Sequence, residues 1–286
     1  MANVRDIRRR IRSAKNIQQI TRAMKFVAAA RLRKAQERVI AARPYARQML
    51  AVLNSVATRV PDRAHPLLAV RGDEKIGLVI ISADKGLCGG YNTNIMRQSM
   101  EFLTKHSDKT VELSVLGKRA RDFFRRRPFT IRHEVINILQ KPEFSDAAAI
   151  AGNLIKEFEQ GEIDQFWLVY NEFKSVVQQR VVVEPLLPIQ RLADPDELGR
   201  MEYLYDEPPD QIFNHLLPKH VEAQIYRALV EAAASEQGAR MTAMDAATNN
   251  ATEMIDNLTL YANKVRQAGI TKELIEVVSG AAAAGG

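Results

Sequence analysis

The chain is poor in the residues that cross-link, anchor or catalyse. It has one cysteine in 286 residues, Cys88, which excludes an intrachain disulfide and a dithiol redox switch. Such thiol scarcity fits a reducing compartment. No run of 18 apolar residues occurs, so no membrane-spanning helix is expected. The opening segment MANVRDIRRR lacks the apolar core of a secretory signal. Its basic, helical character would suit a transit peptide, but Asp6 and the apolar pattern that follows argue for mature structure. The phosphate-loop pattern G-x-x-x-x-G-K-[ST] is absent, and so is G-x-G-x-x-G. His65, His106 and His133 are scattered, and His215 and His220 lie five apart on a helix, a poor spacing for metal ligands. No metal, cofactor or catalytic residue is therefore expected. Nor does any nucleophile sit in a pattern with a base, so the chain reads as a mechanical or interaction protein.

Breakers are missing where they matter most. From Ala223 to Ala262 there is no proline, and Gly238 is the only glycine. Good helix formers, alanine above all, fill the stretch from Asp210 to Ser279. At 1.5 Å per residue this predicts a helix roughly 100 Å long. A seam can be traced through Leu217, Val221, Ile225, Ala228, Ala232, Ser235, Ala239, Ala243, Ala247, Ala251, Met254, Leu258, Ala262 and Val265, spaced by three or four. Small seam residues let a partner helix come close. A lone helix of this length cannot bury its own stripe, so a partner helix, other chains or both are required. The polar run Thr242–Asn257 is unusual for a seam. It suits register specification or changing partners.

Acidic residues are scarce near the N-terminus. Residues 1–50 hold fourteen Lys and Arg against Asp6 and Glu37, while the whole chain is +7. Three readings stand: a solvated helix face, an acidic protein partner, or nucleic acid. Residues 3–58 predict a second long helix, within a segment 1–60. Val4, Ile7, Ile11 and Ala14 set a 3-4 spacing. Ile17, Ile20, Met24 and Val27 continue it after a three-residue slip, and Ala28, Leu32, Ala35 and Val39 carry it on. Pro44 is its one breaker, able to kink the helix or end its first part.

Between the long helices the pattern changes. KIGLVIIS (75–82), TVELSVL (110–116), Phe129–Val135, QFWLVY (165–170) and Val176–Leu187 read as strands. Residues 93–106, 118–127 and about 145–160 read as helices, the last with Ser145 as its N-cap. The alternation predicts a small, mainly parallel α/β domain over 74–190. A linker over 191–209 leads to the C-terminal helix (210–279) and a flexible tail (280–286). ADKGLCGGYN (83–92), with Gly86, Cys88, Gly89 and Gly90, follows a strand and precedes a helix. It reads as a tight turn needing glycine freedom rather than a phosphate site. A ligand-binding enzyme built on this loop is the reading it must be tested against.

IRRRIRSAKNIQQITRAMKFVAAARLRKAQ, SADKGLCGGYN, SEQGARMTAMDAATNNATEMI and ANKVRQAGITKELIEVVSGAAA together resemble the gamma subunits of F-type ATP synthases, in order and over essentially the whole chain. The resemblance implies an antiparallel coiled coil of the N- and C-terminal helices, forming a shaft, and a central Rossmann-like α/β foot. It implies a rotor, not itself an enzyme, that couples ion-driven rotation of a c-subunit ring to conformational change in catalytic beta subunits. Its implied partners are three alpha and three beta subunits per copy, an epsilon subunit and the c ring. Neither nucleic acid nor a second copy is implied, and the place is the inner face of the cell membrane, peripherally. By resemblance Met24, Lys25, Arg240, Gln267, Thr271 and Glu273 meet beta subunits. Tyr203, Tyr205 and Asp206 lie near the c ring and epsilon. Ile270, Leu274, Ile275, Val277 and Val278 form an apolar bearing tip. The chloroplast-type insert with its cysteine pair is missing, so redox control should be absent. Pro218 departs from the family pattern and predicts a kink or a late helix start.

Overall fold

A computed structural model describes residues 4–57, 65–176, 178–190 and 209–284. The elements run α1 (Val4–Ala57), β1 (Lys75–Ile81), α2 (Tyr91–Lys105), β2 (Thr110–Leu116), α3 (Lys118–Phe124), β3 (Thr130–Val135), α4 (Phe144–Glu159), β4 (Gln165–Phe173), β5 (Gln179–Leu187) and α5 (Pro209–Ala284). They divide into two compact units. One holds the described residues of Met1–Val27 and Met241–Gly286, the other those of Ala28–Arg240.

The larger unit is an α/β body. Its sheet has the order β3-β2-β1-β4-β5. The first four strands are mutually parallel, and β5 pairs antiparallel with β4. The chain therefore starts in the middle, steps outward to β3, then crosses back to the other side of β1. Strand alternation sends Ile76, Leu78 and Ile80 to one face, where α2 and α3 cover them through Ile95, Phe102 and Phe124. Val79 and Ile81 point to the other, under α4 and the first part of α5, with Phe158, Val221, Ile225 and Ala228. β5 is an edge strand, which is why it tolerates Pro185 opposite Trp167 beside an irregularity in the ladder.

Several local expectations need correction. Ser145 does not cap α4. Glu143 does, in a reciprocal box with Asp146, and the helix begins at Phe144. A carboxylate at that position accepts a backbone N–H and also favours the positive helix end, so it outcompetes a hydroxyl two residues later. Pro44 does not end α1, which runs on to Ala57. The late start expected at Pro218 does not occur. The helix is already running at Pro209, with Leu217 and Val221 buried on either side of the proline. Burial of that apolar stripe outweighs the lost hydrogen bond, which costs about 3 kcal/mol. At its other end α5 passes Ser279 and continues to Ala284, as an alanine run favours.

His220 lies two residues after Pro218, within reach of Gln224. Burial pushes its imidazole pKa down to about 4, and the Arg227 cation adds to the effect. An unfolded histidine titrates near 6.5, so on acidification the unfolded chain takes up this proton first. The stability from burying the neutral ring is full above pH ~6.5 and is lost as pH falls from there to about 4. His220→Gln should flatten that part of the stability profile by about 3 kcal/mol, read from urea melts at several pH values. An unchanged slope in the variant would mean that the ring is not buried neutral.

Candidate functional site

In the smaller unit α1 and α5 pair antiparallel. Gln18 donates to Thr252 at 2.7 Å, the Thr248 hydroxyl donates to that of Thr21 at 2.8 Å, and Lys25 meets Asp245 at 2.5 Å. Partner numbers fall as α1 numbers rise, which fixes the direction. The same residues expose two errors of seam. α1 has no three-residue slip: Ile7, Ala14, Thr21 and Ala28 are buried at intervals of seven, while Ile17, Ile20 and Val27 are more than half exposed. In α5 Met254 is more than half exposed, whereas Met244 and Ala251 are buried and Thr248, Ile255, Leu258, Ala262 and Val265 half-buried. Their spacing alternates three and four, the 3.5 average of a heptad repeat. Tracing apolar residues alone misread both helices, because hydroxyls and a charge pair occupy the inner positions. The signal available in the sequence was the seven-residue interval from Ile7, which lands on Thr21.

These polar pairs are worth little energy. Lys25 and Asp245 keep 38% and 48% of their side-chain surface in water, where an ion pair contributes about 0.2–1 kcal/mol. They line a groove of about 490 Å³ together with Arg22, Phe26 and Asn249. Met24, beside Lys25, is half-buried. Further along α5, Gln267, Thr271 and Glu273 are exposed, and the Thr271 hydroxyl bonds back to the Gln267 carbonyl. Ile270, Leu274, Ile275, Val277 and Val278 show 50–70% of their surface to solvent. An apolar cluster of that kind marks a contact surface. Tyr203, Tyr205 and Asp206 lie outside the described residues.

The body presents a second region. A parallel sheet that reverses its winding opens a crevice at the carboxyl ends of the strands where the reversal occurs. Here that point lies between β1 and β4, and the glycine-rich loop stands beside it. Asn92 closes the loop, its Oδ1 accepting from the Ala83 amide at 3.1 Å and its Nδ2 donating to Cys88 Sγ at 3.2 Å. Leu87 and Gly89 have φ of 61° and 55°, so the glycine carries a left-handed bend at little cost. Gly86, Gly89 and Gly90 thus build the turn into α2, whose N-cap is Gly90. Cys88 is buried in the turn, and burial pushes its thiol pKa up, away from the reactive thiolate.

The crevice is filled by the chain itself. Tyr91, buried at the start of α2, donates its hydroxyl to Ala232 O at 3.1 Å, and the Ser235 hydroxyl donates to Asn171 O at 3.0 Å. Arg240 donates to Gly86 O at 3.2 Å and pairs with Glu236 at 2.6 Å. Arg240, expected by resemblance at a beta-subunit loop, is thus 9% exposed and held by its own body. Among the described residues, no three His, Cys, Asp or Glu side chains are placed to hold a metal ion. No helix of the described residues is long and apolar enough to cross a membrane.

A family model described as ATP synthase matches residues 3–284. The chain is 51% identical to the ATP synthase gamma chain of Solibacter usitatus, over 99% of this chain and 100% of that one. It belongs to the ATP synthase gamma-chain family. The gamma chain of Heliobacterium modesticaldum is 49% identical over the full length of both. A chain from the central stalk and c-ring structure of the Tetrahymena thermophila mitochondrial ATP synthase superposes with a TM-score of 0.61 at 27% identity, covering 80% of this chain and 99% of that one. A chain of the Euglena gracilis mitochondrial ATP synthase gives 0.68 at 21% identity, covering 98% and 94%. The fold shared with these chains comprises a mixed sheet with helices, a long N-terminal helix and a long C-terminal helix.

Proposed function

We propose that the chain is the central rotor shaft of an F-type ATP synthase. It would couple ion-driven rotation of a c-subunit ring to conformational change in catalytic beta subunits, or ATP hydrolysis to ion pumping in reverse. The observation that carries this reading is the apolar tip of α5. A five-residue cluster half or more exposed is costly in water at about 25 cal/mol per Å², and a surrounding sleeve of other subunits removes that cost. Full-length likeness to proteins named ATP synthase gamma chain supports it, as does likeness to a central-stalk chain. The partners are alpha and beta subunits, three of each per copy, with epsilon and the c ring. The site is the cytoplasmic side of the cell membrane, peripherally. A shaft favours one catalytic conformation over another only by contacting it better. Met24, Lys25, Gln267, Thr271 and Glu273 are the proposed contacts. The filled crevice supports a subunit without its own active site.

Mixing the chain with alpha and beta subunits should give a stable complex with one copy per three of each. Failure to assemble, together with tight, salt-sensitive binding of nucleic acid, would overturn the proposal in favour of a basic coiled-coil nucleic-acid-binding protein. Truncation before Gly269 should weaken torque or coupling in the complex while the α/β body melts as before. Undiminished torque would remove the tip from the mechanism.

A further inference from the structure

We propose that Glu236, with Ser235 and Arg240, is a positioning residue that locks α5 to the α/β body, so that torque passes between helix and body at the crevice between β1 and β4. This rests on the shaft reading above. Three features carry it. First, the anchoring residues Ala232, Ser235, Glu236 and Arg240 share one stripe of the helix, at intervals of three, one and four. Second, their partners belong to three different parts of the body: the glycine-rich loop (Gly86), the start of α2 (Tyr91) and the end of β4 (Asn171). A helix held from three directions can neither roll nor slide without breaking bonds. Third, the ion pair is buried, Glu236 being 7% and Arg240 9% exposed. A buried pair adds little net stability over an apolar packing of similar size, but it tolerates few geometries.

The arrangement is directional. Glu236 holds one nitrogen of the Arg240 guanidinium at 2.6 Å, which leaves another aimed at Gly86 O. The planar fork makes the two bonds interdependent. Without the carboxylate, the loop carbonyl leaves the desolvated cation unneutralised, so it turns toward water and loop and helix separate. Gly238 lies on the same turn of helix. A methyl there would meet Val176 O at 3.4 Å, so the helix sits close to the body on this side too.

The test uses the assembled complex with alpha and beta subunits, with a bead attached through a cysteine introduced at exposed Lys105. The angular variance of the stalled rotor measures its torsional compliance. Glu236→Gln should at least double that variance, Ser235→Ala should raise it less, and Glu236→Asp should restore most of the stiffness. Hydrogen exchange on the same complexes gives a second reading. In Glu236→Gln, amides of 86–91 and 232–240 should speed up together, by about tenfold. An assembled Glu236→Gln complex with unchanged variance would overturn the lock, and so would exchange confined to the loop. If Glu236→Gln fails to assemble, Ser235→Ala and Glu236→Asp carry the same comparison, and equal variance in both would sink the idea. Failure of the unsubstituted chain to assemble would instead refute the shaft reading itself.

Discussion

Gly117→Ala is expected to lower the stability of the α/β body by at least about 4 kcal/mol. Gly117 follows β2 with φ of 111°, a region that costs an L-residue of order 1–3 kcal/mol. The added methyl carbon would sit 2.0 Å from Ser82 O and 2.7 Å from the Ser82 carbonyl carbon. Neither atom can give way easily. Ser82 N bonds Leu116 O at 2.7 Å, Gly117 N bonds Val135 O at 2.7 Å, and Ser82 Oγ accepts from the Ala120 amide at 2.8 Å. Moving Ser82 would therefore unzip the ends of β1, β2 and β3 together. Against a total stability of about 5–15 kcal/mol, such a loss should drop the thermal midpoint by roughly 10 °C or more. Gly152→Ala on the exposed face of α4, where a methyl meets nothing within 4 Å, should instead stabilise by up to about 1 kcal/mol. Circular-dichroism melts of the two variants decide the matter. A midpoint for Gly117→Ala within a degree or two of the parent would show that the close approach is not real.

Ala232→Leu is the second large effect. Intrinsic helix propensity barely separates the two residues, so packing decides the sign. Ala232 has no exposed surface, and its carbonyl accepts the hydroxyl of the buried Tyr91. Three extra carbons have no room there. Overpacking costs about 1–3 kcal/mol, and displacing the tyrosine leaves a buried hydroxyl unsatisfied for about 1–3 more. A loss of about 3–4 kcal/mol in urea melts is expected, with Ala246→Leu, at an exposed position of the same helix, close to zero. Equal melts for the two variants would mean that α5 does not lie tightly on the body.

The strands of the body were legible because buried parallel strands read as apolar runs, and KIGLVIIS needs no partner to be recognised. The C-terminal helix was legible from missing breakers beyond Ala223, and α1 from its three-and-four apolar spacing despite Pro44. Their inner faces were not. A reader who follows apolar residues places Ile17, Ile20 and Val27 inside, whereas the heptad interval puts Gln18, Thr21 and Lys25 there. No local rule says that Thr21 will find Thr248, 227 residues away in sequence. The glycine-rich loop was legible as the turn from β1 into α2. What fills the crevice beside it was invisible, because Ser235, Glu236 and Arg240 look like an ordinary polar stretch of helix until the fold brings Gly86 and Asn171 to them. Pro218 misled as to where the helix starts, since its penalty is a local quantity and the burial that overrides it is not.

The polar rungs between α1 and α5 also act as an index. Displacing one helix by a heptad, about 10 Å along its axis, would take Lys25 away from Asp245, Gln18 from Thr252 and Thr21 from Thr248. An all-alanine seam would meet other alanines after the same displacement and lose little. The rungs therefore favour one relative height of the two helices over those a heptad away, so that this height is a stepped quantity, set at folding.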